Sequence, residues 1–326
     1  MTAPEHLVIA VLTYRRPDDL RELLPMLVQQ SESVDPSRFT ASILVVDNDP
    51  ECSAREIVSA ATAAVSNTVA IQYAPEPIPG ISAGRNRALD SSTDKDLLVF
   101  IDDDERPTEQ WLPLLLRTRD RYRSDVVQGP VVSEFEVAPD DWIEAGQFFR
   151  RRRLTTGTVL DVAVTNNLLL DLRVVRNLQL RFDMDLGTTG GEDTLFTRRL
   201  HRAGVRMVWC AEAFVVDVVP ANRATRQWVR QRAISTGNSA ALVSLKLAAG
   251  GPARGVARAS LASRGVSRLV IGSARIAAGK LLRSTVHEAR GSRTMMRGWG
   301  MTLGACGFAY HEYGRGQGRI DRAKRP

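Results

Sequence analysis

Two acidic segments of this 326-residue chain have residue types and spacing suited to chemistry. Asp102, Asp103 and Asp104 follow the apolar run DLLVFI, and Glu192 and Asp193 follow a pair of glycines. Carboxylates at the end of a buried strand can hold Mn²⁺ or Mg²⁺, because such hard cations prefer oxygen ligands and commonly bridge to phosphates. A solvated loop is the alternative interpretation of the first segment, since short acidic runs are common.

The second segment, GGEDTLF, opens a stretch with helical spacing. A carboxylate at that point can remove a proton from a substrate hydroxyl. Acidic residues at a helix N-terminus are also favoured by the helix dipole and by capping. Capping therefore stays open as an alternative role for Glu192 and Asp193.

Three further polar segments are predicted at the ends of strands or the start of a helix. The strand-end loop VLTYRRP carries arginine, which suits a diphosphate, and a carboxylate in VVDN can accept hydrogen bonds from a base or ribose. The third segment, GISAGRNRAL, places Arg85 and Asn86 at the start of a helix. The alternatives are a surface loop, an Asx turn and a solvated helix face. The candidate residues in these segments are Thr13, Tyr14, Arg15, Asp47, Arg85 and Asn86.

The elements that position these residues alternate along the first half of the chain. Apolar, β-branched runs predict strands, and leucine or alanine spacing predicts helices between them. The predicted strands are 6–14, 42–48, 70–75 and 96–101, and the predicted helices are 18–30, 54–65 and 80–92. Such alternation is typical of an α/β fold with a mostly parallel sheet and helices on both faces, whose sites lie at the carboxyl ends of the strands.

The later chain is less regular until it becomes basic. DVVQGPVVSEF predicts a strand interrupted at Gly129–Pro130, and residues 162–175 predict another extended segment. From residue 246 onward, 16 Lys and Arg stand against three acidic residues, a charge of +13, whereas the remainder carries 28 against 34, or −6. Arginines between apolar positions predict one basic amphipathic helix or two short ones, and the final residues, 314–326, are predicted to be disordered.

Composition excludes several classes of protein. Cys52, Cys210 and Cys306 are far apart, which argues against a disulfide framework or a zinc site and favours a reducing compartment. The N-terminus lacks the features of a signal peptide, and no apolar run of about 18 residues predicts a membrane-spanning helix. The basic tail indicates an anionic surface as its partner, and a helical appendage that packs on the rest of the chain is the open alternative.

Taken in order, VLTYRRP, VVDN, GISAGRNRAL, FIDDDERP and GGEDTLF resemble the family 2 glycosyltransferases with the GT-A fold, especially members that assemble bacterial polysaccharides. The resemblance covers about residues 6–240, and it is specific as an ordered set. It implies a nucleotide-sugar donor, with UDP as the expected nucleotide, a saccharide or lipid-linked acceptor, and inversion at the anomeric carbon. It also implies Mn²⁺ or Mg²⁺ as cofactor.

The resemblance assigns a role to each candidate residue. Thr13, Tyr14 and Arg15 line the nucleotide pocket, Asp47 holds the base, and Arg85 and Asn86 lie near the nucleotide. Asp104 is the principal metal ligand, Asp102 contacts the ribose or the metal, and Asp103 lies beside them. Asp193 is the general base, and Glu192 orients the acceptor. These roles give the expected division into a donor-binding part (1–120), an acceptor-binding part (121–240) and a basic helical extension (241–326).

Two departures from the family pattern bear on these expectations. No histidine lies between His201 and His287, where many relatives supply a metal or phosphate contact, so Asp217 or water is left as its replacement. QWVRQ lacks the tryptophan of the QxxRW motif of processive members, which favours addition of a single sugar. We expect a cytoplasmic enzyme, with peripheral contact to the inner face of the cell membrane as an open alternative.

Other functions fit the sequence less well. A sugar-nucleotide-forming nucleotidyltransferase requires a glycine-rich basic loop after its first strand, and VLTYRRP has no glycine. An oxidoreductase with a dinucleotide cofactor requires GxGxxG at the same place. A nucleic-acid-binding protein is compatible with the basic tail, but no recognised motif or aromatic platform accompanies the charge, and no nucleic acid partner is expected.

Overall fold

The computed structural model describes residues 3–65, 69–312 and 318–323. Its first half confirms the predicted alternation of strands and helices. The strands are β1 (Glu5–Thr13), β2 (Phe39–Asp47), β3 (Ala70–Pro75), β4 (Leu97–Asp102), β5 (Glu105–Pro107), β6 (Val126–Gln128), β7 (Val131–Phe135), β8 (Leu168–Asp171), β9 (Met207–Trp209), β10 (Val215–Val219), β11 (Phe308–Tyr310) and β12 (Ile320–Arg322). The helices are α1 (Pro17–Glu32), α2 (Arg55–Ala64), α3 (Ile81–Asp90), α4 (Trp111–Tyr122), α5 (Asp141–Gly146), α6 (Leu172–Asn177), α7 (Glu192–Arg202), α8 (Arg226–Leu247), α9 (Pro252–Leu281) and α10 (Thr285–Ala305).

The central sheet has seven strands in the order β3-β2-β1-β4-β8-β6-β9. β1 lies between β2 and β4 and runs parallel to both. Alternate β1 residues enter two apolar cores, Leu7 and Ile9 on one face and Val8 and Ala10 on the other. Burial of both faces explains why these strands are continuous apolar runs, and it confirms the predicted α/β sheet covered on both sides.

The prediction of one extended segment at 162–175 is wrong in its extent. Only Leu168–Asp171 forms a strand, and β8 runs antiparallel to both β4 and β6. Asp171 then ends the strand, because its side chain accepts a hydrogen bond from the backbone N–H of Arg173 and caps α6. The interruption predicted at Gly129–Pro130 is confirmed, and it separates β6 in the central sheet from β7 in a three-stranded sheet of order β5-β10-β7.

The chain forms two compact units. The first contains Met1–Glu134, Arg151–Phe182 and Phe196–Val218, and the second contains Phe135–Arg150, Asp183–Leu195 and Val219–Pro326. These units are defined by which residues pack together, and they differ from the predicted functional parts. The predicted boundary at residue 240 lies inside α8. The assignment of donor-binding, acceptor-binding and extension functions to parts of the chain stays a prediction.

The second unit is built around three long helices. α10 packs against α8, α9 and α5. Its contact with α9 is close, because a Cβ added at Gly272 would lie 2.6 Å from the backbone nitrogen of Met295, and one at Gly279 would lie 2.6 Å from that of Glu288. The predicted basic helical extension is confirmed as helical, and it consists of two long helices, α9 with 30 residues and α10 with 21.

The predicted disorder of residues 314–326 is wrong for part of that range. Ile320–Arg322 forms β12, which pairs with β11 in antiparallel register. Residues 314–317 and 324–326 lie outside the described residues. Among the helices that the structure describes, none combines the length and the hydropathy that a membrane crossing requires.

Candidate active site

The acidic segment after β4 forms a turn between two strands of the first unit. Asp102 ends β4, Asp103 and Asp104 form the turn, and Glu105 begins β5. Glu105, which is not among the candidate residues, is buried, and its Oε2 accepts a hydrogen bond of 3.0 Å from the backbone N–H of Asp102. The turn is therefore closed by one of its own carboxylates.

Residues of the loop after β1 hold the other carboxylates of the turn. Thr13 Oγ1 donates to Asp103 Oδ2 at 2.9 Å. Arg16 Nη1 lies 2.7 Å from Asp103 Oδ1 and 2.6 Å from Asp104 Oδ2. Because β1 and β4 are neighbouring parallel strands, their carboxyl ends meet at one edge of the sheet. The structure thus brings Thr13 and the acidic turn together, with Arg16 as an additional partner.

Burial and mutual repulsion shift the protonation of this turn. Burial, with repulsion from Asp104, raises the pKa of Asp102 to about 6, although Arg85 opposes the shift. Burial likewise raises the pKa of Asp103 to about 7, against the opposing charge of Arg16. Burial and the neighbouring Asp102 raise the pKa of Glu105. Burial is the main cause of all three shifts and disfavours the ionised carboxylates, so a further cation at the turn would stabilise their ionised form.

Asp217 lies beside this turn. In the pairing of β10 with β5 it stands opposite Glu105, and its Oδ2 lies 2.7 Å from Arg151 Nη2. Its charge also acts on Asp102 and Glu105, raising their pKa values. The sequence-based choice of Asp217 as a replacement for the missing histidine is thus compatible with its position.

The residues of the turn fit a divalent cation that is shared with a substrate. Within residues 3–65, 69–312 and 318–323, no group of three or more His, Cys, Asp or Glu side chains is arranged as a complete metal cage. Mg²⁺ usually needs only one or two carboxylates, with water and substrate phosphates completing its shell. Asp102 and Asp104 provide such a partial set, since each raises the negative potential at the other.

The carboxylate of Asp47, at the end of β2, is held by hydrogen bonds from its own chain. It is fully buried, and its two carboxylate oxygens accept hydrogen bonds from the backbone N–H groups of Asp49 and Ala54 and from the hydroxyl of Tyr73. These bonds shape the loop that leads into α2. Its contact with a nucleotide base stays a prediction.

Tyr14 and Arg15 are the exposed members of the loop after β1. Arg15 has a positive φ of 56°, and its Nε lies 3.2 Å from Asp49 Oδ1. Its guanidinium also lies 5.3 Å from the centre of the Tyr14 ring. Both side chains are exposed and therefore accessible to a ligand. Their role in a nucleotide pocket stays a prediction.

Arg85 and Asn86 are buried on α3. Arg85 lies over the ring of Phe182 at 5.7 Å, and its charge lowers the pKa of Asp102. The Asn86 amide donates to the carbonyl of Phe182 and accepts from its N–H, each at 2.9 Å. Asn86 therefore fastens the segment that carries Phe182, whereas Arg85 contributes positive charge to the acidic turn. Their predicted proximity to a nucleotide stays a prediction.

Glu192 and Asp193 begin α7 in the second unit, with Glu192 buried and Asp193 half-buried. The two preceding glycines have positive φ angles of 77° and 91°, a conformation that glycine adopts without strain. A Cβ at Gly191 would lie 2.9 Å from Val243 Cγ2 on α8. The absence of a side chain at Gly191 therefore lets this segment pack closely on α8.

A cleft of about 320 Å³ lies along the N-terminal half of α8, before the contact of this helix with Gly191. In the wall of this cleft, the Glu312 carboxylate forms an ion pair with Arg232 and accepts a hydrogen bond from the hydroxyl of Ser235. The backbone N–H of Glu312 donates to the carbonyl of Thr188 at 2.8 Å, which ties the wall to the segment before α7. The lining residues are Trp228, Gln231, Arg232, Ser235, Tyr310, Glu312 and Gly318.

Sequence reasoning missed Arg16 and Glu105 as parts of the acidic turn. Arg16 stands next to Arg15 in the sequence, and nothing in its spacing indicates that it reaches a turn 87 residues later. The available signal was the excess of carboxylates itself, because buried charges require partners. For Glu105 the sequence offers no local signal, because ERP has no apolar alternation and its burial depends on the pairing of β5 with β10.

Comparisons with known proteins agree with this architecture. The chain matches the family description "Glycosyl transferase family 2" over residues 8–176 and "Glycosyl transferase family group 2" over residues 97–263. It is 34% identical over 234 residues to the succinoglycan biosynthesis protein ExoM of Rhizobium meliloti (strain 1021), which covers 72% of this chain and 74% of that protein.

Solved structures with a similar fold include TarS of S. aureus. TarS 1-349 superimposes with a TM-score of 0.50 and 15% identity, covering 97% of this chain and 96% of that one. The structure of the same TarS fragment in complex with UDP-GlcNAc gives a TM-score of 0.50 and 16% identity over the same shares. A longer TarS structure is covered over 42% of its length. At this identity the likeness shows the fold, which agrees with the predicted GT-A architecture.

Proposed function

The chain belongs to glycosyl transferase family 2, and we propose that it moves one sugar from a nucleotide sugar to an acceptor hydroxyl in polysaccharide assembly, with inversion of the anomeric carbon. The observation that carries the proposal is the acidic turn at the end of β4, joined to the end of β1 through Thr13 and Arg16. The name of the ExoM relative supports polysaccharide assembly. TarS has been crystallised with UDP and with UDP-GlcNAc, so UDP sugars are the first donors to test.

In this proposal the donor lies at the carboxyl ends of β1 and β4. Asp104 and Asp102 would hold Mn²⁺ or Mg²⁺, and Asp103 supports them through Thr13. The cation supplies positive charge for the diphosphate leaving group. Tyr14 and Arg15 are exposed in the adjoining loop, and we assign them to the nucleotide, with Asp47, Arg85 and Asn86 shaping the surrounding walls.

The chemical step needs a base on the acceptor side. We assign Asp193 as the group that takes the proton of the acceptor hydroxyl while the acceptor oxygen bonds to the anomeric carbon and the bond to the diphosphate breaks. Glu192 orients the acceptor. The cleft beside α8 is the acceptor subsite in this proposal, because it combines the ring of Trp228 with charged and hydroxyl groups that suit a saccharide.

The outer face of α9 is proposed to contact an anionic membrane. α9 buries Gly265, Gly272 and Gly279 toward α10, and Val256, Val266 and Val270 are exposed. The sequence has no Asp or Glu between Asp217 and Glu288. Apolar side chains accompanied by arginines and no carboxylates are complementary to anionic lipid, where each cation near the surface contributes about 1 kcal/mol. Such contact would place the enzyme near a lipid-linked acceptor.

A donor screen tests the catalytic proposal. Purified protein is incubated with a panel of UDP, GDP and dTDP sugars in Mn²⁺, in Mg²⁺ or in EDTA, and release of the nucleoside diphosphate is measured. We expect release from at least one donor in either metal and its loss in EDTA. Release that is equal in EDTA would contradict the role of metal, and silence toward every donor would contradict the proposed reaction.

Vesicle sedimentation tests the membrane contact. Wild type is expected to sediment with phosphatidylglycerol vesicles but not with phosphatidylcholine vesicles. The double variant Val266→Glu, Val270→Glu should lose this binding, because it adds negative charge and removes apolar surface. Val137→Glu, an exposed valine of the same unit outside α9, is the matched control and should sediment normally. Equal binding by all three proteins would contradict the assignment of this face.

A further inference from the structure

The loop between β1 and α1 presents two consecutive arginines that have different partners. Arg15 reaches Asp49, and its side chain is 53% exposed. Arg16 turns the other way, and a single nitrogen, Nη1, bridges Asp103 Oδ1 at 2.7 Å and Asp104 Oδ2 at 2.6 Å. Arg16 thus lies on the carboxylate that the proposed function assigns as principal metal ligand.

A third arginine near the turn makes a useful contrast. Arg106 Nη1 donates to the backbone carbonyls of Asp103 and Glu105, each at 3.1 Å, and its Nη2 donates to Glu22 at 2.8 Å. Arg106 therefore supports the backbone of the turn, whereas the hydrogen bonds of Arg16 end on its carboxylate oxygens. Of these arginines, Arg16 is the one placed to neutralise Asp104.

We propose that Arg16 is the resident counter-cation of Asp104, and that a divalent cation entering with the donor competes with Arg16 for this carboxylate. This inference rests on the metal-binding part of the proposed function. A guanidinium and a dication that share one carboxylate repel each other, so binding of one weakens binding of the other.

The surroundings of Arg16 permit such an exchange of partners. Its side chain is 32% exposed, so it has access to solvent, and Asp103 keeps its separate bond from Thr13 when Arg16 moves. Arginine presents a planar set of donors that suits phosphate as well as carboxylate. Arg16 released from Asp104 is therefore available to the donor's diphosphate, so the same cation stabilises the turn before binding and the donor afterwards.

Metal affinity without nucleotide is the direct test. Binding of Mn²⁺ is measured by the loss of the free-ion electron paramagnetic resonance signal for wild type, Arg16→Met, Arg16→Lys and Arg106→Met. We expect Arg16→Met to bind Mn²⁺ about tenfold more tightly than wild type, because a competing charge is removed. Arg16→Lys should lie between them, since one ammonium keeps the charge but not the planar donor set. Arg106→Met should bind no more tightly than wild type.

A second measurement follows the released arginine. With Mn²⁺ saturating, UDP affinity measured by calorimetry should fall about tenfold in Arg16→Met, because the diphosphate loses a charged partner. Thermal melting of each variant confirms that it is folded. If Arg16→Met does not fold, Arg16→Lys replaces it in both measurements.

The outcomes separate this inference from the proposed function. One outcome overturns only the competition at Asp104. Wild type binds Mn²⁺ in the presence of UDP, but without UDP neither Arg16→Met nor Arg16→Lys binds Mn²⁺ more tightly than wild type does. In that case the metal site stands. If neither wild type nor any Arg16 variant binds Mn²⁺, with or without UDP, the metal assignment fails and the competition fails with it. Unchanged UDP affinity in Arg16→Met would overturn the transfer of Arg16 to the diphosphate.

Discussion

The two acidic segments of the molecule are held in different ways. Asp103 and Asp104 lie in a turn between strands, bridged by one guanidinium and crowded by other carboxylates. Asp193 begins a helix behind two glycines, and it is half-buried. A crowded acidic turn favours a cation, and the proposed function gives the separate carboxylate at the helix start the proton of the acceptor. The proposal thus divides two tasks between the two segments.

The largest expected effect comes from the second segment. Asp193→Asn should lower the turnover of transfer about 10³-fold, because an amide cannot accept the acceptor's proton, and general-base catalysis is worth about 10² to 10⁴. Product formation measured at saturating donor checks this. Asp161→Asn, which removes a surface partner of Arg198, is the matched control and should retain activity. Near-normal turnover of Asp193→Asn would leave capping as the role of this residue.

The packing that supports the second segment gives the next effect. A Cβ on Gly300 of α10 would overlap the carbonyl oxygen of Ile234 on α8. Gly300→Ala should therefore lower the free energy of unfolding by about 2–3 kcal/mol, as overpacking does. Gly255→Ala, on α9 with no atom within 4 Å of the added Cβ, should be neutral or stabilising. Denaturant unfolding measures both, and equal stability of the two variants would contradict the close α8–α10 contact.

The cleft on α8 gives the smallest effect. Trp228→Ala should raise the acceptor KM about tenfold, because a saccharide loses an aromatic surface, while donor hydrolysis without acceptor stays within about twofold. Trp299→Ala removes an exposed tryptophan of the same unit outside the cleft and is the control. A fall in donor hydrolysis with unchanged acceptor KM would place Trp228 outside the acceptor subsite. Because Trp228 also stacks on Phe149, thermal melting accompanies the measurement.

Local patterns predicted the strands that carry the candidate residues but not the partners of those residues. β1, β2 and β4 are apolar on both faces, so the sequence predicts their type and places the carboxyl end of each to within one residue, although β2 begins three residues earlier than predicted. The contact of Arg16 with Asp104 depends on how β1 and β4 pair, which no local pattern contains. The glycines of α9 and α10 resemble helix breakers in sequence, whereas in the structure they permit close helix contact.

Donor binding by Asp104→Asn and Asp193→Asn, measured side by side, tests the division of labour between the two segments most directly. Calorimetric titration of UDP in saturating Mn²⁺ should show that Asp104→Asn loses about 100-fold or more in affinity, because a carboxylate ligand of the cation is removed. Asp193→Asn should bind UDP within about twofold of wild type, because its carboxylate acts on the acceptor. Equal loss in both variants, or loss in Asp193→Asn alone, would contradict the account.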